Sequence, residues 1–328
     1  MKKIAINGLG RIGRAAMKII LDSESFDLVA VNDIVPVENL AYLLKYDSVY
    51  GRYDKVVKTN EDMLIIHEQK IRVFKEKDPA NLPWKEMEVD IVLESTGIFT
   101  DAEGLQKHID AGAKKVILSA PAKGGDVKTI VYGVNEASEG DKLISTASCT
   151  TNGITPVVEI MDRRIGVAKA IMTTTHAYTS SQPTVDLPSK KMRRGRAGAQ
   201  NIVPTTTGAA KATSKVLPQM EGIFDGIALR VPVPVGSIAD LVFVTKRKVT
   251  ESEINDIFVE EAKSEKYRGI LNVSNDPLVS TDIIKETHAC IVDMEMTQVV
   301  DGDLVKILSW YDNEWGYASQ MVKQALEL

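Results

Sequence analysis

Two side chains in the 328-residue chain have types and surroundings suited to covalent chemistry: Cys149, inside "STASCTTN", and His176, closing the run "AKAIMTTTHA". A structural cysteine normally sits among apolar neighbours, whereas Cys149 is surrounded by hydroxyl and amide side chains. Beyond it Ile154, Val157, Val158 and Met161 fall at helical spacing as far as Gly166, which predicts a helix beginning at or just after the cysteine. The free N–H groups and positive end of such a helix would lower the thiol pKa below its reference of about 8.5 and favour the nucleophilic thiolate. His176 ends a strand-like run and could serve that thiol as base and orienting partner. A quiet helix-start cysteine and a structural histidine are the plainer alternatives at this point.

A second pattern binds rather than reacts. "KIAINGLGRIGRAAMKIILD" passes from an alternating strand (Ile4, Ile6) through a G-x-G-x-x-G turn into helical spacing at Ile12, Ala16, Ile19 and Ile20. Gly8 would permit the turn, Gly10 the approach of a pyrophosphate, and Gly13 close packing of helix on strand, with Arg11 and Ile12 between them. Asp33, twenty residues after Gly13 at the end of "DLVAVND", stands where a carboxylate would hold the ribose 2′-hydroxyl of NAD. A lone glycine pattern recurs by chance, but strand, helix and acid in this order point to a dinucleotide. Strand-like runs at 89–95, 114–120 and 129–134, with a helix over 102–113, extend a parallel sheet, and Ser95, Thr96, Gly97 and Ser119 would line the crevice at its carboxyl ends.

The elements that must position these groups read as two domains, which 328 residues accommodate. After residue 224, strand-like "DGIALRV", "SIADLVFVTKR", "ACIVDMEM" and "DLVKILSWYD" alternate with one helix, "ESEINDIFVEEAKS", and "NEWGYASQMVKQALEL" closes the chain as an amphipathic helix. The expected fold is an α/β Rossmann-type NAD-binding domain plus an α+β catalytic domain with a mixed, largely antiparallel sheet. At 44% hydrophobic and 26% charged, with net charge -5, the chain has no general attraction for nucleic acid or anionic lipid. Lys190, Lys191, Arg193, Arg194 and Arg196 lack an aromatic partner for a base and suit a solvated loop or subunit contact better. "MKKIAING" has no secretory signal and no window suits a membrane helix, so a cytoplasmic location is expected. Cys149 and Cys290 make no disulfide framework, and His67, His108, His176 and His288 lie too far apart in sequence for a metal motif, so no metal is expected.

"INGLGRIGR", "SASCTTN", "TTTHAYT", "TTTGAAKA", "LRVPVP" and "SWYDNEWGY" occur in an order and at spacings that resemble the phosphorylating glyceraldehyde-3-phosphate dehydrogenase family, across essentially the whole chain. The resemblance implies an NAD-binding domain over residues 1–148 and 313–328, a catalytic domain over 149–312, and a homotetramer in which the basic loop near 178–201 reaches a neighbouring subunit's cofactor site. The implied substrates are D-glyceraldehyde 3-phosphate, NAD and inorganic phosphate. By matching motif, Cys149 is the nucleophile and His176 its acid/base partner. Thr179 and Arg230 match contacts to the substrate phosphate; Ser148, Thr150, Thr207 and Gly208 match the site of the attacking phosphate. Asn313 matches the residue holding the nicotinamide carboxamide, Tyr317 packs beside the ring, and Lys77 stands on the adenine side. Three positions depart from many bacterial members: Ser181 replaces Asp, Gly153 replaces Cys, and Lys77 replaces the Arg before "DP". A cysteine hydrolase would have no use for the dinucleotide turn. The runner-up within the family, erythrose-4-phosphate dehydrogenase, tends to lack "TGAA" and to carry Glu at the Asp33 position.

Overall fold

The computed structural model describes every residue except Glu24. Contacts divide the chain into one unit of residues 1–130, 136–147 and 321–328, and a second of residues 131–135 and 148–320. Ser148 and residues 313–320 thus group with the second unit, where the sequence had suggested the first.

In the first unit a nine-stranded sheet runs in the order Lys128–Thr129, Leu143–Ser145, Lys115–Leu118, Ile91–Glu94, Lys2–Asn7, Phe26–Asn32, Gln69–Phe74, Met63–Ile66, Val57–Asn60. The central strand Lys2–Asn7 pairs in parallel with Phe26–Asn32 and with Ile91–Glu94. Ile4, Ala5 and Ile6 are all fully buried, as expected of a parallel strand covered on both faces. The helix Arg11–Ser23 returns from it, burying Ala16, Met17 and Ile20. The helix expected over 102–113 spans Ala102–Asp110, capped by Asp101 onto Gly104 N. Two features differ from expectation. Residues 57–74 form an antiparallel ladder added to the parallel sheet. The run at 129–134 gives only the two-residue strand Lys128–Thr129 before the chain turns at Gly133, whose φ of 76° suits glycine.

In the second unit a seven-stranded sheet runs Val203–Thr206, Phe224–Val231, Val167–Ala177, Ser237–Thr245, Leu304–Tyr311, Cys290–Val300, Leu271–Ser274. Its pairing is mixed and mostly antiparallel. Helices Cys149–Arg164, Ala209–Val216 and Glu251–Lys263 pack against it. Ile154, Val157, Val158 and Met161, the residues whose spacing announced the first of these helices, are fully buried in the core. The alternation of Val167–Ala177 sends Met172, Thr174 and His176 inward, while Ile171 on the opposite face is 60% exposed and Ile227 on the neighbouring strand 50%.

Candidate active site

Ala147, held at φ 55°, turns the chain before the helix Cys149–Arg164. Ser148 is its N-cap: the Ser148 hydroxyl accepts from Thr151 N at 3.1 Å. Cys149 is therefore the first helical residue, as its neighbours predicted. His176 comes from the inward face of Val167–Ala177, and its Nε2 lies 3.3 Å from Cys149 Sγ. Parallel pairing sets His176 beside Arg230. Arg230 Nη1 lies 2.7 Å from His176 Nδ1 and donates to Ala177 O at 2.8 Å, and Nδ1 is itself 2.7 Å from Ala177 O. With its proton on Nδ1, donated to Ala177 O, the ring presents a bare Nε2 to the thiol, the form a base needs. Once the thiol proton has left the pair, Arg230 can donate to a bare Nδ1 while Nε2–H faces the thiolate.

The sequence pattern gives no role in the site to three further groups that meet there. Tyr311 is fully buried; its hydroxyl bonds Thr174 Oγ1 at 2.7 Å and Thr150 Oγ1 at 3.0 Å, and its ring meets His176 edge-on with centroids 6.1 Å apart. The alternating burial of Leu304–Tyr311 could have revealed it. Ser237, also fully buried, accepts from Ala177 N at 3.1 Å and donates to Asn313 Oδ1 at 2.9 Å, where Gly236 N also donates. Those two donors fix the Asn313 oxygen and leave its NH2 as the end that can meet a ligand. Arg194, read from sequence as part of a solvated loop, donates to Thr205 Oγ1 and Thr206 O, and its charge reaches both His176 and Arg230.

The hydroxyls assigned to anions have protein partners. Thr150 bonds Tyr311, Thr207 Oγ1 accepts from Ala209 N at 3.2 Å beside the exposed Gly208, and Thr179 Oγ1 lies 2.9 Å from Ser181 Oγ. Tyr317 is buried on the helix Trp315–Leu326. Gly153 is explained directly: a Cβ there would stand 2.9 Å from the Tyr311 ring.

The first unit carries its own pocket, lined by Gly8, Gly10, Asp33, Lys77, Ser95 and Thr96 with Asn7, Asn32 and Ile34 among others. Its features suit a dinucleotide. Gly8 has φ 92° and no room for a Cβ beside Thr96 N, whereas Gly10 faces open space within 4 Å, as an approaching phosphate requires. Among the described residues, the buried Ser95 Oγ has no hydrogen-bond partner. Asp33 Oδ2 accepts from Leu9 N at 2.7 Å, tying the acid to the glycine turn. Gly13 packs helix on strand, since a Cβ would lie 2.0 Å from Gly8 O. Arg11 pairs with Asp47 at 2.5 Å and covers the Tyr50 ring. Ile12, Gly97 and Ser119 are not among the lining residues.

Residues 2–102 match the NAD binding domain of glyceraldehyde 3-phosphate dehydrogenase, and residues 148–313 match its C-terminal domain. The chain is 48% identical over 324 residues to glyceraldehyde-3-phosphate dehydrogenase 2 of Streptomyces avermitilis, covering 98% of this chain and 96% of the relative. It is 48% identical over 326 residues to glyceraldehyde-3-phosphate dehydrogenase of Geobacillus stearothermophilus, covering 98% and 97%. The chain belongs to the glyceraldehyde-3-phosphate dehydrogenase family. Its cofactor is NAD.

The electrostatics of this dehydrogenase correct one expectation. Cys149 is partly accessible as a residue, but protein atoms crowd its sulfur, and that burial pushes the thiol up despite the pull of Arg230, of Thr150 and of the backbone at the helix start. The helix start alone therefore does not lower it. Burial, reinforced by Arg230, holds His176 down to about 3, so the dehydrogenase keeps a neutral imidazole beside the sulfur at neutral pH. Cys290 is fully buried, and burial pushes it up to about 12. Among the described residues of the dehydrogenase, no helix is long and apolar enough to cross a membrane.

Proposed function

We propose that this dehydrogenase oxidises D-glyceraldehyde 3-phosphate and captures the acyl group with inorganic phosphate to give 1,3-bisphosphoglycerate. The observation that carries the reading is the 3.3 Å contact between Cys149 Sγ and His176 Nε2 at a helix start, in a chain of this family. Cys149 Sγ bonds to the aldehyde carbon as its thiol proton passes to His176 Nε2; the carbonyl electron pair moves onto oxygen, where the helix-start N–H groups stabilise it and His176 Nε2–H returns that proton to give the hydroxyl. NAD, when bound, supplies the acceptor for the hydride. As the tetrahedral adduct collapses, His176 Nε2 takes the hydroxyl proton and a thioester remains on Cys149. Phosphate then adds to the thioester carbon, and the C–S bond breaks to restore the sulfur. Arg230 and Thr179 are assigned to the phosphate already on the substrate, and Ser148, Thr150, Thr207 and Gly208 to the attacking one.

On the cofactor, Gly8, Gly10, Arg11, Ile12, Gly13, Asp33, Lys77, Ser95, Thr96, Gly97 and Ser119 are assigned to the dinucleotide, Asn313 to its carboxamide and Tyr317 to the ring. The orphaned Ser95 hydroxyl and the open face of Gly10 support the first set. Domains of residues 1–148 with 313–328, and 149–312, remain our functional division. A homotetramer is supported by the exposed isoleucines Ile171, Ile202 and Ile227 of the second unit. A cytoplasmic location completes the reading. NADH absorbance with glyceraldehyde 3-phosphate tests it: turnover should require phosphate, and turnover unchanged without phosphate would indicate a non-phosphorylating dehydrogenase.

A further inference from the structure

Beneath the dinucleotide pocket lies a chain of buried polar side chains that no sequence motif announced: Asn32, Asn7, Glu94, His108 and Trp84 are between 0% and 3% exposed. Its hydrogen-bond directions are forced from both ends. At one end Glu76 N, a backbone donor, meets Asn32 Oδ1 at 2.8 Å. Asn32 Nδ2 must then donate, to Asn7 Oδ1 at 2.7 Å and to Glu76 O, and Asn7 Nδ2 in turn donates to Glu94 Oε2 at 2.5 Å. At the other end the Trp84 indole can only donate, to His108 Nδ1 at 3.0 Å. The imidazole proton therefore sits on Nε2, which donates to Glu94 Oε2 at 3.1 Å. Thr96 N donates to Glu94 Oε1 at 2.8 Å, and the Thr96 hydroxyl bonds the same oxygen. Donors thus converge on both oxygens of one fully buried carboxyl group.

Asn7, Asn32, Glu76 and Thr96 all line the pocket, and each is held directly or through one neighbour by this chain. We infer that Glu94 and His108 are positioning residues of the cofactor site: Glu94 fixes the pocket walls at Thr96 and Asn7, and His108 does so with a tautomer locked by Trp84. The inference rests on the NAD reading. A network needed only for folding would have no reason to end on four pocket walls, and substituting apolar groups for buried polar pairs can be nearly neutral for stability.

Glu94→Gln tests it, because the amide places an N–H where donors already converge. Calorimetric titration should give an NAD dissociation constant about tenfold higher than wild type, the size of one unsatisfied buried donor. The KM for NAD should rise with it while kcat stays within about twofold, as for lost uniform binding. Adding Trp84→Phe releases His108 Nδ1, so the ring proton can move there and Nε2 can accept from the new amide. The double variant should then bind NAD about threefold more tightly than Glu94→Gln alone. A purely structural role predicts the opposite, since removing part of a fully buried indole only adds damage. An unchanged dissociation constant in folded Glu94→Gln, or a double variant no better than the single, overturns the inference. Should Glu94→Gln fail to fold, Trp84→Phe alone should weaken NAD binding about threefold, and equal binding overturns it. Wild type that binds no NAD would instead sink the cofactor reading.

Discussion

The two thiols differ in surroundings more than in chemistry. Iodoacetamide at neutral pH should modify Cys149 and abolish turnover while Cys290, fully buried and pushed up to about 12, stays unmodified by mass spectrometry. Because the Arg230 charge pulls the Cys149 thiol down, Arg230→Gln should slow that alkylation at fixed pH by about threefold or more; an equal rate would remove Arg230 from the activation of the thiol. His176 makes a separate prediction about acid. Its folded pKa of about 3 lies below the unfolded value of about 6.5. Between those values the unfolded chain binds the extra proton, so stability falls as pH drops from about 6.5 toward about 3 and the loss is complete below that window. Urea midpoints measured across it should fall less steeply in His176→Asn.

At the scale of the element, the Cys149 helix and the Tyr311 strand are locked together through Gly153. Any side chain there must displace the Tyr311 ring, 2.9 Å from the missing Cβ, and so pull its hydroxyl from Thr150 and Thr174. Gly153→Ala should cost about 1–3 kcal/mol, read as a lower urea midpoint, and a neutral result would mean the ring yields freely. The sequence made this helix legible because its apolar residues repeat at one period as far as Gly166. It also showed the glycine turn, whose acid lies at a set distance. The ladder at 57–74 was not legible, since its tight turns use Glu61 at φ 49° and His67 at φ 58° rather than the Asn-Gly that would announce them. Ser237 and Glu94 were hidden for another reason: a lone polar residue inside a buried strand acquires meaning only from partners dozens of positions away.

For the whole molecule, the apolar outer face around Ile171 and Ile227 tests the proposed assembly. Ile171→Lys with Ile227→Lys should shift the light-scattering mass of wild type toward that of one chain of 35.9 kDa; an unchanged mass would place the subunit contact elsewhere. The rims of the two sheets bear on a different property. Lys58 sits in the outermost strand at one rim of the nine-stranded sheet, a two-residue strand with Lys128 closes its other rim, and Pro204, which has no N–H to offer, lies in an outermost strand of the seven-stranded sheet. Charge, brevity and proline each deny an incoming chain the continuous row of donors and acceptors that fibril growth copies. Heated protein should consequently coagulate as amorphous, thioflavin-negative precipitate, its clumping driven by spilled core and not by strands templating one another.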